Sequence, residues 1–226
     1  MPLRQILRRL LGRPAEDEKN NRRFFDTVYR RNFWGGKASR SGAGSEGAFA
    51  DQKVALLSAI IEELGVTSQL DIGCGDFHWM RRVAPRLDRY VGVDLVEAMV
   101  ERNAREHGSD RVRFLRADLS RPGPDRGRVA AAGPFDLVSA LDVFGHLLNP
   151  EVDGLLEFIF TESGARLFLV TNRRDATSRE YLQRAKTRHE GIDLTAHPLF
   201  VRHAPRCVRQ VPALYPGDSF DLYALR

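Results

Sequence analysis

A chain of 226 residues, 42% hydrophobic and 29% charged, has the size and composition of one ordinary globular domain with a single sizeable core. Its 35 Lys and Arg against 30 Asp and Glu leave a net charge of +5, an excess that favours acidic ligands but is too small for a protein that coats nucleic acid. Cys74 and Cys207 are the only cysteines, so a disulfide framework and a cysteine-based zinc site are both unsupported, and a reducing compartment, the cytoplasm, is the expected location.

No apolar run reaches bilayer-spanning length, and the N-terminus lacks the hydrophobic stretch of a signal peptide. Residues 3–11 alternate Leu3, Ile6, Leu7, Leu10 and Leu11 with Arg4, Arg8 and Arg9, a basic amphipathic helix able to lie on an anionic membrane surface or to pack on the domain. Polar residues 12–21, with Pro14 among them, read as a linker, and residues 22–31 as a short helix. Residues 35–47 form a glycine- and serine-rich run. Phe33, Trp34 and Phe49 flank it and can pin it down, so its amides become available to an anion. We therefore expect an extension over residues 1–49, made of basic helix, linker and lid, ahead of a domain over residues 50–226.

Within that domain, residues 51–64 carry Val54, Leu56, Leu57, Ile60, Ile61 and Leu64 at helical spacing, with Gly65 as the stop. A strand at 69–72 then runs into Gly73-Cys74-Gly75, and residues 77–84 resume helical spacing with Trp79 and Met80 facing the core. The alternation continues with a strand at 90–93, a helix at 96–107, strands at 112–116 and 135–140, a helix at 150–162, a strand at 166–171 and a helix at 178–189. Residues 207–214 and 219–225 are strand-like runs joined by the turn residues Pro216, Gly217 and Asp218. The fold class expected is α/β: a doubly wound, mostly parallel seven-stranded sheet, closed by an antiparallel C-terminal hairpin and preceded by a helical and loop extension.

In open sheets of this kind, ligands sit beyond the carboxyl ends of the strands, where Asp71, Asp94, Asp118 and Asp142 fall. Gly73 and Gly75 permit a tight turn against a ligand. A dinucleotide site wants a third small residue where this chain has His78, and the carboxylates of Asp71 and Asp76 would repel its two phosphates. S-adenosylmethionine suits such a site better. Its ammonium and sulfonium are cations, and its carboxylate can take N–H bonds from the turn. Asp94 can accept both ribose hydroxyls, and Asp118 the adenine amino group.

The stretches LDIGCGDFHWM (70–80), YVGVDL (90–95), RFLRADL (113–119) and FDLVSALDVFGHL (135–147) resemble the class I S-adenosylmethionine-dependent methyltransferases, over about residues 50–226. The resemblance implies that Gly73, Cys74 and Gly75 line the methionine part, Asp94 the ribose, and Asp118 and Leu119 the adenine, with Asp71 and Leu95 also among the cofactor-binding residues. Leu141 falls where cofactor and acceptor meet. Trp34-Gly35 followed by Ser39 to Ser45 is similar to a narrower group of methyltransferase-like proteins, some associated with glycan or small-metabolite biosynthesis.

His146 and Asp142, four residues apart after the fourth strand, are the candidate base pair for a hydroxyl acceptor, placed on one face if a helical turn begins there. Trp34, Arg40, Ser41, Gly42, Gly44 and Ser45 form a candidate lid or acceptor wall, and His78 a candidate ligand contact. His189, His197 and His203 fall in a stretch able to cover the acceptor site, and no spacing suggests a metal site. The acceptor expected is a small molecule or glycan, methylated at oxygen. A nucleic-acid acceptor is disfavoured, because Leu141-Asp142-Val143-Phe144 is not the Asn/Asp-Pro-Pro-aromatic run that holds a flipped base. A protein that binds the cofactor without catalysis is the second alternative. The oligomeric state is not legible in the sequence.

Overall fold

The computed structural model describes residues 18–174 and 191–225. The helices expected at 3–11 and 178–189 lie outside the described residues, as does His189. Helix α1 (Glu18–Arg30) begins inside the expected linker, and α2 (Gly47–Leu64) starts directly from the glycine-rich loop. The stripe of α2 that carries Leu57, Ile60 and Ile61 is buried, and Gly65 ends the helix in the left-handed conformation, φ 61°.

Strand β1 (Ser68–Ile72) is buried at every residue. β2 (Arg89–Asp94), α3 (Glu97–His107) and β3 (Val112–Arg116) follow. Next come α4 (Pro124–Ala130), β4 (Leu137–Ala140), α5 (Asn149–Thr161) and β5 (Leu167–Asn172). The described chain closes with α6 (Pro198–His203), β6 (Arg206–Pro212) and β7 (Ser219–Ala224). The seven strands form one sheet in the order β3-β2-β1-β4-β5-β7-β6, parallel except for the two pairings of β7.

The two faces are set by the two-residue period of the strands. Phe168 and Val170 of β5 pack with Leu155, Leu156 and Ile159 of α5, while Leu167 and Leu169 pack with Leu57 and Ile60 of α2. Order reverses at β1, which pairs with both β2 and β4, so the connections leave in opposite directions and a crevice opens above their carboxyl ends.

Two departures have local causes. Residues 77–84, expected as a helix, form successive 3₁₀ turns at Met80–Arg82 and Ala84–Arg86. Phe77 sits at φ 59°, outside helical space, and Pro85 has no N–H to extend a helix. Trp79 and Met80 are nevertheless buried. The short helices α4 and α6 each begin with a proline after a loop and are too brief to show a periodic apolar stripe.

Candidate active site

The carboxyl ends of β1, β2 and β4, the segment 117–120, α1 and the glycine-rich loop together enclose a cleft of about 1150 Å³, open solvent at its mouth included. Asp71, Gly73, Cys74, Asp94, Leu95, Asp118, Leu119 and Leu141 line it, as do the candidate base residues Asp142 and His146 and the loop residues Trp34, Ser41 and Ser45. Gly75, Arg40, Gly42, Gly44 and His78 do not line it.

The glycine turn is fitted tightly. Gly73 has φ 71°, and a Cβ there would lie 2.6 Å from the Val143 side chain; at Gly75, φ 57°, it would lie 2.3 Å from the Ser41 hydroxyl. The turn is fixed from within, because Gly73 and Cys74 donate to the Val93 carbonyl (2.8 and 3.1 Å) and Gly75 donates to Asp94 Oδ2 (3.0 Å). Asn103 Nδ2 of α3 holds the Gly75 carbonyl at 2.8 Å. These bonds correct the expectation that the turn offers its amides to a ligand carboxylate, since each N–H is already spent on the protein.

The acidic residues are buried in different ways. Asp71 accepts from Tyr90 (2.8 Å) and Ser139 (2.7 Å), and burial, only partly offset by those bonds, pushes its carboxyl up to about 6. Asp94 takes the amides of Gly75 and Val96, each at 3.0 Å, and burial again raises its pKa. Each of its oxygens keeps a lone pair for a further donor. Asp118 bonds through Oδ1 to Ser120, whereas its buried Oδ2 has no hydrogen-bond partner, the Arg121 Nε lying 3.7 Å away.

Asp142 and His146 do not share a helix face. Asp142 adopts a left-handed backbone, φ 58°, and the following 3₁₀ turn covers only Phe144–His146. Asp142 is held by Thr171, through a side-chain bond of 2.9 Å, and by an ion pair with Lys53. The His146 ring packs against Trp34, centroids 5.2 Å apart, and Trp34 in turn meets the Tyr29 ring edge-on at 5.2 Å.

The loop is tied down by two carboxylates. Asp76 accepts from the Ser39 hydroxyl (3.0 Å), the Arg40 amide (2.7 Å) and the Ser41 hydroxyl (3.3 Å), and Glu46 accepts the amides of Lys37, Ala38 and Ser39. His78 lies at the foot of this loop, where its own amide donates to Asp76. His197 and His203 do not reach the cleft: His197 caps α6 and bonds Asp153 of α5 at 2.8 Å, and His203 stacks on Phe160.

Sequence reasoning missed Lys53, Phe25 and Tyr29, all of which line the cleft. Lys53 had a signal, because it occupies a position on the apolar stripe of α2, in line with Leu57 and Ile60, where a lysine is out of place. Among the described residues, no three His, Cys, Asp or Glu side chains gather as metal ligands would, and no helix is long and apolar enough to cross a membrane.

A family model described as a methyltransferase domain matches residues 6–206. The chain belongs to that family. No curated protein matches this methyltransferase significantly. Among solved structures, it is similar to the N-methyltransferase NodS from Bradyrhizobium japonicum WM9 in complex with S-adenosyl-L-homocysteine. That match has TM-score 0.64 and 14% identity, covering 87% of this chain and 97% of the other. It is also similar to magnesium protoporphyrin IX methyltransferase from Synechocystis PCC 6803 with bound S-adenosylmethionine, at TM-score 0.60 and 17% identity, covering 93% and 98%. The methyltransferase domain of a bacterial Hen1 matches with TM-score 0.59 and 12% identity over 77% and 98%. At these identities the likeness is one of fold.

Proposed function

We propose that this methyltransferase binds S-adenosylmethionine in the cleft above β1, β2 and β4 and methylates a hydroxyl oxygen of a small-molecule or glycan acceptor. The observation that carries the reading is the charge of the cleft wall. Asp71, Asp76, Asp94, Asp118 and Asp142 line it, with Lys53 as its one Lys or Arg among the described residues. A wall of this kind attracts a cationic nucleoside and repels a diphosphate. The solved relatives crystallised with S-adenosylmethionine or S-adenosyl-L-homocysteine support the same choice.

The residues fit the group. Asp94 has lone pairs available for two ribose hydroxyls, and the orphaned Asp118 Oδ2 is an acceptor waiting for a donor such as an adenine amino group. Gly73, Cys74 and Leu95 shape the floor beside them, and Leu119 and Leu141 supply apolar walls. When bound, the cofactor supplies an electrophilic methyl on a sulfonium. The protein's own part is to hold an acceptor in line and take its proton. His146, in the cleft wall with its ring against Trp34, is the base we assign, with Asp142 anchored by Thr171 as its neighbour. The rings of Phe25, Tyr29 and Trp34 offer flat apolar surface to an acceptor, and the loop over residues 34–45 serves as the lid. With Cys74 and Cys207 both free, a reducing compartment such as the cytoplasm suits the protein.

Titration calorimetry with S-adenosyl-L-homocysteine and with NAD tests the cofactor, and a labelled-methyl screen over sugars, phenols and short RNAs tests the acceptor. Binding of the first ligand alone, and label on a hydroxyl compound, are expected. NAD binding overturns the cofactor, label on RNA overturns the acceptor class, and binding with no transfer to any acceptor favours the non-catalytic alternative.

A further inference from the structure

An amino acid brought into this cleft meets an unusual set of partners. Its carboxylate finds no available amide at the glycine turn, where Gly73, Cys74 and Gly75 already donate within the protein. The remaining lining side chains are mostly acidic or apolar. Beside the hydroxyls of Tyr29, Ser41, Ser45 and Ser120 and the His146 ring, Lys53 is the one Lys or Arg in the lining among the described residues. It rises from α2 with its side chain only 4% exposed, and its Nζ donates to the Gly44 carbonyl (2.9 Å) and to the Asp142 carboxylate. The ammonium also lies 5.8 Å from the centroid of the Trp79 ring, and its field reaches Asp71, whose carboxyl it lowers. An ammonium has three N–H donors, and the two bonds on it leave one for a further acceptor.

Burying a lysine is costly unless an anion repays it. Asp142 supplies one partner. The result is a fixed pair of opposite charges side by side in the wall of a cleft that is otherwise negative. A pair of this kind matches a zwitterion, an α-amino carboxylate, and matches poorly a ligand that bears charge of one sign.

We propose that Lys53 and Asp142 recognise the amino-acid end of the cofactor, with the Lys53 ammonium taking its carboxylate and the Asp142 carboxylate its ammonium. The proposal rests on the reading of the cleft as an S-adenosylmethionine site. Lys53 then decides whether a nucleoside thioether that lacks the carboxylate can compete for the cleft. It is a binding residue and takes no part in proton transfer.

The test is calorimetry on the purified full chain with three ligands: S-adenosyl-L-homocysteine, its decarboxylated analogue, which keeps the amine, and 5′-methylthioadenosine, which lacks the whole amino-acid end. For the unaltered protein, affinity is expected to fall by about tenfold to a hundredfold when the carboxylate alone is removed, as for a hydrogen-bonded charge. Lys53→Met is expected to lose a similar factor for S-adenosyl-L-homocysteine while keeping its affinity for 5′-methylthioadenosine, and Lys53→Arg to recover part of the loss. Equal affinity of the unaltered protein for the first two ligands overturns the proposal without recourse to any variant. So does a Lys53→Met protein that binds S-adenosyl-L-homocysteine normally, or that loses all three ligands in equal proportion. If the unaltered protein binds none of the three, the cofactor reading fails, and the proposal falls with it.

Discussion

At Asp71 the chain buries a carboxylate under its own glycine turn, with the Tyr90 and Ser139 hydroxyls as its hydrogen-bond donors. Its folded pKa of about 6 lies above the ordinary value, so its contribution to stability is fully present at low pH and is lost as pH rises through about 6. The shift corresponds to about 3 kcal/mol. Asp71→Asn removes that dependence, and its melting temperature relative to the unaltered protein is expected to climb between pH 4 and pH 8 in scanning calorimetry. A constant difference across that range means that Asp71 titrates with an ordinary pKa. The cost of ionising Asp71 falls when a cation is bound nearby, so a bound sulfonium is expected to lower its pKa. His146 belongs to the same scale. His146→Ala is expected to lower turnover on a hydroxyl acceptor by about a hundredfold while leaving S-adenosyl-L-homocysteine affinity unchanged, and normal turnover dismisses it as the base.

Between elements, the amino ends of the strands are joined by Asp136, which precedes β4. It accepts from the amides and hydroxyls of Thr67 and Ser68 at β1 and from Arg166 at the start of β5, and Arg166 also reaches the carbonyls of Leu64 and Gly65 at the end of α2. Burial raises the Asp136 carboxyl, but the Thr67, Ser68 and Arg166 donors outweigh it and hold the group far below the carboxylate range. The stability it contributes is present above about pH 4 and is lost as pH falls toward its depressed folded pKa. Asp136→Asn is expected to cost about 1–3 kcal/mol at pH 7, with the gap narrowing in urea titrations below pH 4. A gap that stays constant with pH rules out an ionic role. The strands themselves were legible because β1, β2 and β5 are short buried runs that stop just before Gly73, at Asp94 and at Asn172, and only their limits moved by a residue or two. The segment after Gly75 was not legible. Its apolar residues Trp79, Met80 and Val83 repeat as in a helix, yet the backbone reversal at Phe77 is imposed by ring packing against Tyr90 and Phe114, which only the tertiary fold supplies.

Over the whole molecule, the alternation of strand and helix marked a doubly wound sheet with ligands beyond the carboxyl ends of its strands, so Asp94 and Gly73 could be placed in advance, whereas the strand order came only with the fold. Lys53 carried only the signal of a lysine on an apolar stripe, and its role was not readable from that, because its partner Asp142 lies far along the chain and the two meet only in the folded protein. The glycine-rich loop was half legible: aromatics and glycines marked residues 34–45, but the carboxylate that ties it down is Asp76, after the first strand. S-adenosyl-L-homocysteine is expected to slow tryptic cleavage after Lys37 and Arg40 several-fold, with Asp76→Ala cut rapidly in either condition. Equal rates with and without the ligand exclude a lid. The hairpin has a different consequence. β6 touches the sheet only through β7, although β6 comes first in the chain. Without residues 219–224 in place, β6 therefore has no strand to pair with, and its amides stay in water. The outermost strand of that side thus depends on a segment that follows it in the chain.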